Sequence, residues 1–339
     1  MMETSHEFEL IEHFFKNQVH QRQDVILGIG DDAALVRVPA EQALVVAVDT
    51  LIESVHFPPE TSAFDIAYKA LAVNLSDLAA MGAVPAWATL ALTLPSNDED
   101  WLQQFSQGFF ELANRYSVNL IGGDTTRGNV LGLSVQLQGW VDPDIALKRH
   151  GAQPGDLIYV SGCIGDAGLG LLHHQRKLKV SEPDVEYVLQ RLNRPQPRVE
   201  LGQALLGIAS SAIDISDGLA ADLGHVLKAS GVGARVSLED IPCSDAYNNA
   251  ATQLSEYLIQ YNKSMLTDFP ATEFALTAGD DYELCFTVPP SKQQEVDCIS
   301  QRLGLRLSQV GVVIDTEDLV LYAGGSHLVS FEPRGYRHF

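Results

Sequence analysis

The chain has 339 residues, 46% of them hydrophobic, enough apolar material for two sizeable cores and hence for two domains. Its formal net charge of −22 argues against a nucleic-acid partner and against an anionic membrane, because both draw on clustered Lys and Arg. Four cysteines, Cys163, Cys243, Cys285 and Cys298, form no CxxC pair, which disfavours a zinc cluster or a disulfide framework and points to a reducing compartment.

Taken alone, the acidity reads equally as the solubility of an ordinary cytosolic enzyme. Met1 to Glu12 is acidic and polar, and no run approaches about 18 uninterrupted apolar residues, so a soluble cytoplasmic protein is expected. The apolar run Ala43 to Val48 predicts a buried strand that delivers Asp49 at its carboxyl end. From Phe64, the spacing of Ala67, Leu71, Leu75 and Leu78 predicts a helix closed by Gly82 and Pro85, with Asn74 and Asp77 sharing a face.

Ala86 to Leu94 reads as a strand and Asp98 to Tyr116 as a helix, whose stripe of Trp101, Phe105, Phe109, Leu112 and Tyr116 belongs in a core. Val118 to Ile121 predicts a strand opening into a glycine turn at Gly122-Gly123-Asp124, and Leu131 to Trp140 the strand that follows. This alternation describes an α/β unit. The turn formers at Val141 to Asp144 and Gly151 to Gly155 mark a boundary, giving domains 1–145 and 146–339. In the second, Leu157 to Val160, Ala212-Ile213 and Tyr282 to Val288 read as strands. Helices are expected at Gly165 to Leu172, Val199 to Ile208 and Leu219 to Ala229, with short strands at the C-terminus.

Acidic residues set among glycines and hydroxyls recur along this framework: Gly30-Asp31-Asp32, Val48-Asp49-Thr50, Asn74 to Asp77, Gly122 to Thr126, Asp214 to Gly218 and Gly279-Asp280-Asp281. Any one of them reads first as a turn or a helix cap. Six together, several at predicted strand ends or helix starts, read better as a shared site for Mg²⁺ and phosphate oxygens. Gly28 to Asp32 lacks the third glycine of a dinucleotide fingerprint, and the absence of any Gly-Lys pair removes the P-loop. A nucleotide would therefore be cradled by metals and glycine amides. Arg127 and Arg149 are candidates for phosphate contact, with a surface role as the alternative. His56, His173 and His174 read as solvated histidines.

In combination, Gly28 to Asp32, Tyr68 to Pro85, Gly122 to Gly128, Ile215 to Leu219 and Asp281 to Leu284 resemble the bacterial thiamine-monophosphate kinases. The likeness runs in order from about Phe8 to the C-terminal Gly335 to Phe339. It implies a two-domain α/β fold of the aminoimidazole ribonucleotide synthetase type and ATP-dependent phosphorylation of thiamine monophosphate to thiamine diphosphate. It also implies several Mg²⁺ ions and a homodimer paired through its N-terminal sheets. Carried over by motif, the resemblance makes Asp32, Asp49, Asp77, Asp124, Asp214 and Asp217 metal ligands, with Asp124 and Asp217 central to catalysis. It sets Gly123, Asp124, Arg149 and Ser216 near the nucleotide, and His56, Asp280 and Tyr336 at the substrate.

Three positions depart from the family pattern. Ala47-Val48 stands where relatives often carry Ser-Thr, which removes a hydroxyl contact to metal, although backbone carbonyls can still serve. Asp280 replaces a glutamate and is one methylene shorter, so its contact to the thiamine moiety is expected to pass through water. Tyr336 fills an aromatic position with a phenol. Two other readings stand beside this one: a sister enzyme of the superfamily acting on another acceptor, and an acidic Ca²⁺-binding protein. The second lacks the EF-hand spacing.

Overall fold

The computed structural model describes residues 12–19, 22–261, 263–266, 268–323, 327–332 and 335. The chain divides into two compact units, Met1–Leu78 with Ala83–Asp144, and Ala79–Gly82 with Ile145–Phe339.

Among the described residues, the first unit is built on a four-stranded sheet. A small antiparallel pair, β1 (Val25–Leu27) and β2 (Leu35–Val36), precedes β3 (Ala43–Ile52), α1 (Ala63–Ala80), β4 (Val84–Leu94), α2 (Glu99–Arg115), β5 (Asn119–Arg127) and β6 (Gly132–Val141). The sheet order is β3-β6-β4-β5, with β4 and β5 parallel across the α2 crossover and the other pairs antiparallel. α2 begins where its residues require: the Asp98 side chain accepts the Trp101 amide at 3.0 Å, and Glu99 and Asp100 complement the helix dipole. Phe105, Phe109 and Leu112 are fully buried, as the stripe predicted. Each such side chain contributes roughly 1.5–3 kcal/mol of burial.

Two expectations change here. β3 continues past Asp49 to Ile52, held by ten residue pairs with β6, so Asp49 lies inside a strand rather than at its end. The glycine turn at 122–124 is absent, because β5 runs unbroken through Gly122-Gly123-Asp124 to Arg127. The partner decides this: β4 offers parallel pairing as far as Leu94, and Gly123 lies so close to it that a Cβ would stand 2.0 Å from the Leu90 carbonyl oxygen.

The second unit carries a seven-stranded sheet in the order β13-β12-β9-β11-β7-β10-β8, antiparallel except for β9 with β12. Its strands are β7 (Leu157–Ser161), β8 (Ser211–Asp214), β9 (Gly233–Ser237), β10 (Leu284–Val288), β11 (Leu307–Ile314), β12 (Leu319–Ala323) and β13 (His327–Ser330). The helices are α3 (Asp166–His174), α4 (Glu182–Asn193), α5 (Val199–Ala204), α6 (Leu219–Ser230), α7 (Asp245–Gln260), α8 (Pro270–Thr277) and α9 (Gln293–Leu303). One continuous core includes Ile158, Val160, Ile213, Leu223, Val236 and Leu321.

The strand expected from Tyr282 begins only at Leu284, and the helix expected to Ile208 stops at Ala204. α4, α7, α8 and α9 were not anticipated, although Ser181 ahead of Glu182-Pro183 and the Ser244 cap on Tyr247 mark two of their starts. The architecture is mixed α/β in both units. Among the described residues no helix is long and apolar enough to cross a membrane.

Candidate active site

In the first unit, strand alternation decides which carboxylates meet. Asp49 pairs with Val135 of β6, and Leu90 of β4 links that position to Gly123 of β5. One residue on, Thr50, Ser134, Ala91 and Asp124 form the next row, so Asp124 projects from the opposite face. The Thr50 and Ser134 hydroxyls, 2.7 Å apart, confirm that these side chains share a face.

On the other face, α1 brings Asp77 to Asp49, and their carboxyl groups hydrogen-bond to each other. Such a bond needs a proton on one partner. Withdrawal from water raises the Asp49 carboxyl above its ordinary value, opposed by the Asp77 hydrogen bond and by the charge of His56. His56 is set by a turn after β3, where its Nδ1 accepts the Ile52 amide at 3.0 Å. Buried Lys69 of α1 donates to the His56 carbonyl at 3.4 Å. Three residues before Asp77, the fully buried Asn74 donates to the Ala70 carbonyl while its Oδ1 has no partner among the described residues. Asp32 lies exposed between β1 and β2, where its amide donates to Asp31 Oδ1 at 2.8 Å.

The second unit presents its carboxylates on a loop. β8 ends at buried Asp214, and half-buried Ser216 and Asp217 follow ahead of α6. A residue not singled out in the sequence shapes this loop: Asp222, one turn into α6, accepts the amides of Ser216, Asp217 and Gly218 at 3.0, 3.0 and 3.1 Å. Burial pushes the Asp222 carboxyl up to about 8, and the negative charges of Asp214 and Asp217 add to it. The amides of Asp217 and Ser216 oppose that rise. Gly218 adopts φ 114°, and a Cβ there would come within 2.8 Å of the Thr277 backbone, so only glycine fits.

Asp280 lies beside this loop, its amide donating to the Ser216 carbonyl at 2.8 Å. The next residues lock the register: Tyr282 donates to the Ile215 carbonyl and Ile215 to that of Glu283, both at 2.8 Å. Asp280 and Tyr282 both take left-handed backbone, with φ 69° and 50°, at a cost on the order of 1 kcal/mol each. Between and after them, Asp281 and Glu283 are buried anchors. Asp281 accepts the Gly165 amide at 2.7 Å, and Glu283 binds Arg198, Ser161 and Arg191.

Arg149 is exposed, one residue past Lys148, whose carbonyl accepts the Ala212 amide of β8 at 2.9 Å. The chain nearing the C-terminus also passes here, since a Cβ at Gly335 would lie 2.1 Å from the Asp217 carbonyl oxygen. Tyr336 lies outside the described residues.

The structure thus joins Asp49, Asp77 and His56 in one unit, and Asp214, Ser216, Asp217 and Asp280 in the other. Within the first unit it sets Asp124 on the face away from Asp49. Among the described residues no three His, Cys, Asp or Glu side chains are grouped so as to hold a metal ion by themselves. The donors nevertheless suit a hard cation: all are oxygens, and each unit brings carboxyl groups close together, Asp49 beside Asp77 and both Asp214 and Asp217 near Asp222.

Residues 30–141 match the family model for the AIR synthase related protein N-terminal domain, and 153–324 the model for its C-terminal domain. The chain is 48% identical to a thiamine-monophosphate kinase of Salmonella typhimurium over 98% of both sequences. Among solved structures it resembles the thiamine-monophosphate kinase of Stenotrophomonas maltophilia K279a at 45% identity and a TM-score of 0.81, covering 94% of this chain and 96% of that one. It also resembles AaThiL complexed with AMPPCP and TMP, at 30% identity and a TM-score of 0.73, covering 98% and 97%.

Proposed function

Because the chain belongs to the thiamine-monophosphate kinases of the AIR synthase related family, we propose that it transfers the γ-phosphoryl group of ATP to thiamine monophosphate, giving thiamine diphosphate and ADP. The observation carrying this reading is the end-to-end likeness to kinases of that name, which spans both halves of the chain. Residues 1–145 serve as the nucleotide, metal and dimerisation part, and 146–339 complete the nucleotide and substrate site.

The acceptor is itself a phosphate and is ionised near neutral pH, so no general base is required. The obstacle is repulsion: two like unit charges at about 4 Å repel by roughly 4 kcal/mol at an effective dielectric of 20, and several charges meet. Asp32, Asp49, Asp77, Asp124, Asp214 and Asp217 are the residues that would hold Mg²⁺. When bound, the metal supplies neutralisation of the phosphate oxygens. Gly123, Arg149 and Ser216 serve the nucleotide, while His56, Asp280 and Tyr336 orient the thiamine portion.

Transfer is direct: an acceptor oxygen bonds to the γ-phosphorus as its bond to the bridging oxygen breaks, with no phospho-enzyme. On the exposed face of edge strand β3, Leu44, Val46, Val48 and Ile52 form an apolar row that supports a homodimer paired through this sheet. The test is chromatographic: the purified protein, given ATP, Mg²⁺ and thiamine monophosphate, should release thiamine diphosphate. Turnover only with aminoimidazole ribonucleotide precursors or selenide would overturn the assignment. Radiolabel surviving on the protein after a chase would exclude direct transfer. Light scattering should give twice the mass of one chain.

A further inference from the structure

Cys163 and Cys243 are about 80 residues apart in sequence, but the fold of the second unit lays their peptide groups side by side. The amide that follows Cys163, that of Ile164, donates at 2.9 Å to the carbonyl that precedes Cys243, that of Pro242. Extended segments joined by such a bond run about 5 Å apart, which brings the two α-carbons within the roughly 4.4–6.8 Å that a disulfide spans.

Further contacts fix both segments. Cys163 follows the end of β7, where the Gly162 amide donates to the Arg306 carbonyl at 2.8 Å and Arg191 donates to the Cys163 carbonyl at 3.3 Å. Cys243 precedes Ser244, whose hydroxyl accepts the Tyr247 amide at the start of α7 and donates to Asp166 Oδ1 at 2.6 Å. Asp166 opens α3 three residues past Cys163, so one buried carboxylate ties the two cysteine segments together a second time. Both cysteines are free and half-buried, whereas Cys285 is fully enclosed.

We infer that Cys163 and Cys243 are a reversible redox pair, a modification site that closes into an intrachain disulfide when the protein meets a low-molecular-weight disulfide of the glutathione type. One cysteine gives its proton to solvent, and its thiolate attacks a sulfur of the reagent, breaking that S–S bond and expelling one thiolate. The second cysteine, deprotonated in turn, attacks the protein sulfur of this mixed disulfide and expels the other. The protein loses two protons and two electrons, and the reagent gains them as two thiols.

The surroundings make the pair slow to oxidise and hard to reduce. Burial holds both thiols above their usual range, Cys243 up to about 12, and the charge of Asp166 adds to both. Asp281 raises Cys243 further and Glu283 raises Cys163, while Arg306 opposes the rise in both and Arg191 that of Cys163. Little thiolate is therefore present near neutral pH, so attack is slow. A thiol that is hard to ionise is also a poor leaving group, so the closed bond resists exchange.

The test uses the full chain carrying Cys298→Ser, which removes the exposed thiol. After excess oxidised glutathione at about pH 8.5, mass spectrometry should find two hydrogens lost, no glutathione retained and a peptide linking Cys163 to Cys243. Closure should raise the thermal midpoint by about 5–10 °C, and dithiothreitol should reverse both changes. Between about pH 7 and 8.5 the rate of closure should rise roughly tenfold per pH unit, following the thiolate. Adding Cys243→Ser should stop the reaction at one glutathione adduct, with the midpoint of the reduced protein. Thiols left intact, adducts that never resolve into the link, or a link to Cys285 would overturn the inference. A midpoint that falls on closure would do so as well, because it marks a bond the native fold does not accommodate.

Discussion

The two units hold their carboxylates by opposite means. Asp49 and Asp77 come from a strand and a helix, and they meet side chain to side chain through a hydrogen bond. The 214–218 loop is held from beneath by backbone: three amides converge on Asp222, and two left-handed residues clip the 280–283 segment against it. The first arrangement is governed by charge, since regular elements already fix its geometry. The second is governed by conformation, since its side chains point correctly only while the loop keeps its shape. Electrostatic and steric perturbations should therefore affect the two clusters differently.

The largest expected effect is on chemistry. Asp77→Asn and Asp217→Asn should each lower kcat on the order of 10²- to 10³-fold, with little change in denaturation midpoint, as expected where charge stabilisation dominates. Normal turnover at saturating Mg²⁺ in either variant would remove that cluster from the mechanism.

Next comes the scaffold of the second unit. Glu283 is fully buried and is paired with Arg191 at 3.0 Å and with Arg198. Glu283→Gln leaves two guanidinium groups facing a neutral amide, and urea unfolding should show a loss of about 3–5 kcal/mol. A loss below about 1 kcal/mol would mean that the strained loop needs no ionic anchor.

A smaller effect is expected at Asp222. Asp222→Ala frees three loop amides and should cost about 1–3 kcal/mol, and Asp222→Asn, which keeps an acceptor, clearly less. Equal losses would show that packing, rather than amide capture, shapes the loop.

The smallest effect concerns a side-chain pair of the first unit. Arg22 holds the Asp24 carboxyl below its usual value, chiefly through their hydrogen bond, the salt bridge measuring 2.7 Å. A depressed carboxylate contributes stability above its unfolded value near 4 and loses it as pH falls through the folded one. Asp24→Asn should therefore cost at most about 1 kcal/mol at pH 7, because the pair is partly solvated. The difference from the parent should vanish in acid titration followed by circular dichroism.

Sequence periodicity was a good guide wherever an element buries one face. The α2 stripe shows this, because apolar spacing and burial are the same fact seen twice, whereas the run from Ala43, expected as a buried strand, lies on the sheet edge and leaves Leu44, Val46 and Val48 exposed. It failed where a neighbour sets the conformation. Gly122-Gly123 looks like a turn until β4 lies alongside and needs the missing Cβ. Asp222 looks like any polar residue on a helix, and nothing local announces that the preceding loop turns back to meet it. Likewise, Asp281 and Glu283 read as part of an acidic motif, whereas burial makes them anchors and leaves Asp280 half-buried. Motif resemblance supplied the aspartate set as a whole; spacing alone placed Asp77 on a helix face but did not show that Asp49 and Asp124 leave their sheet on opposite sides.

β8 is the last strand of its sheet, and such margins ordinarily invite another polypeptide to add itself. Here the Ala212 amide is already taken by the carbonyl of Lys148. The segment at Lys148 thereby occupies one pairing position of that rim, two residues ahead of Asp214. An added strand would have to displace that native bond before it could pair along the full length of β8.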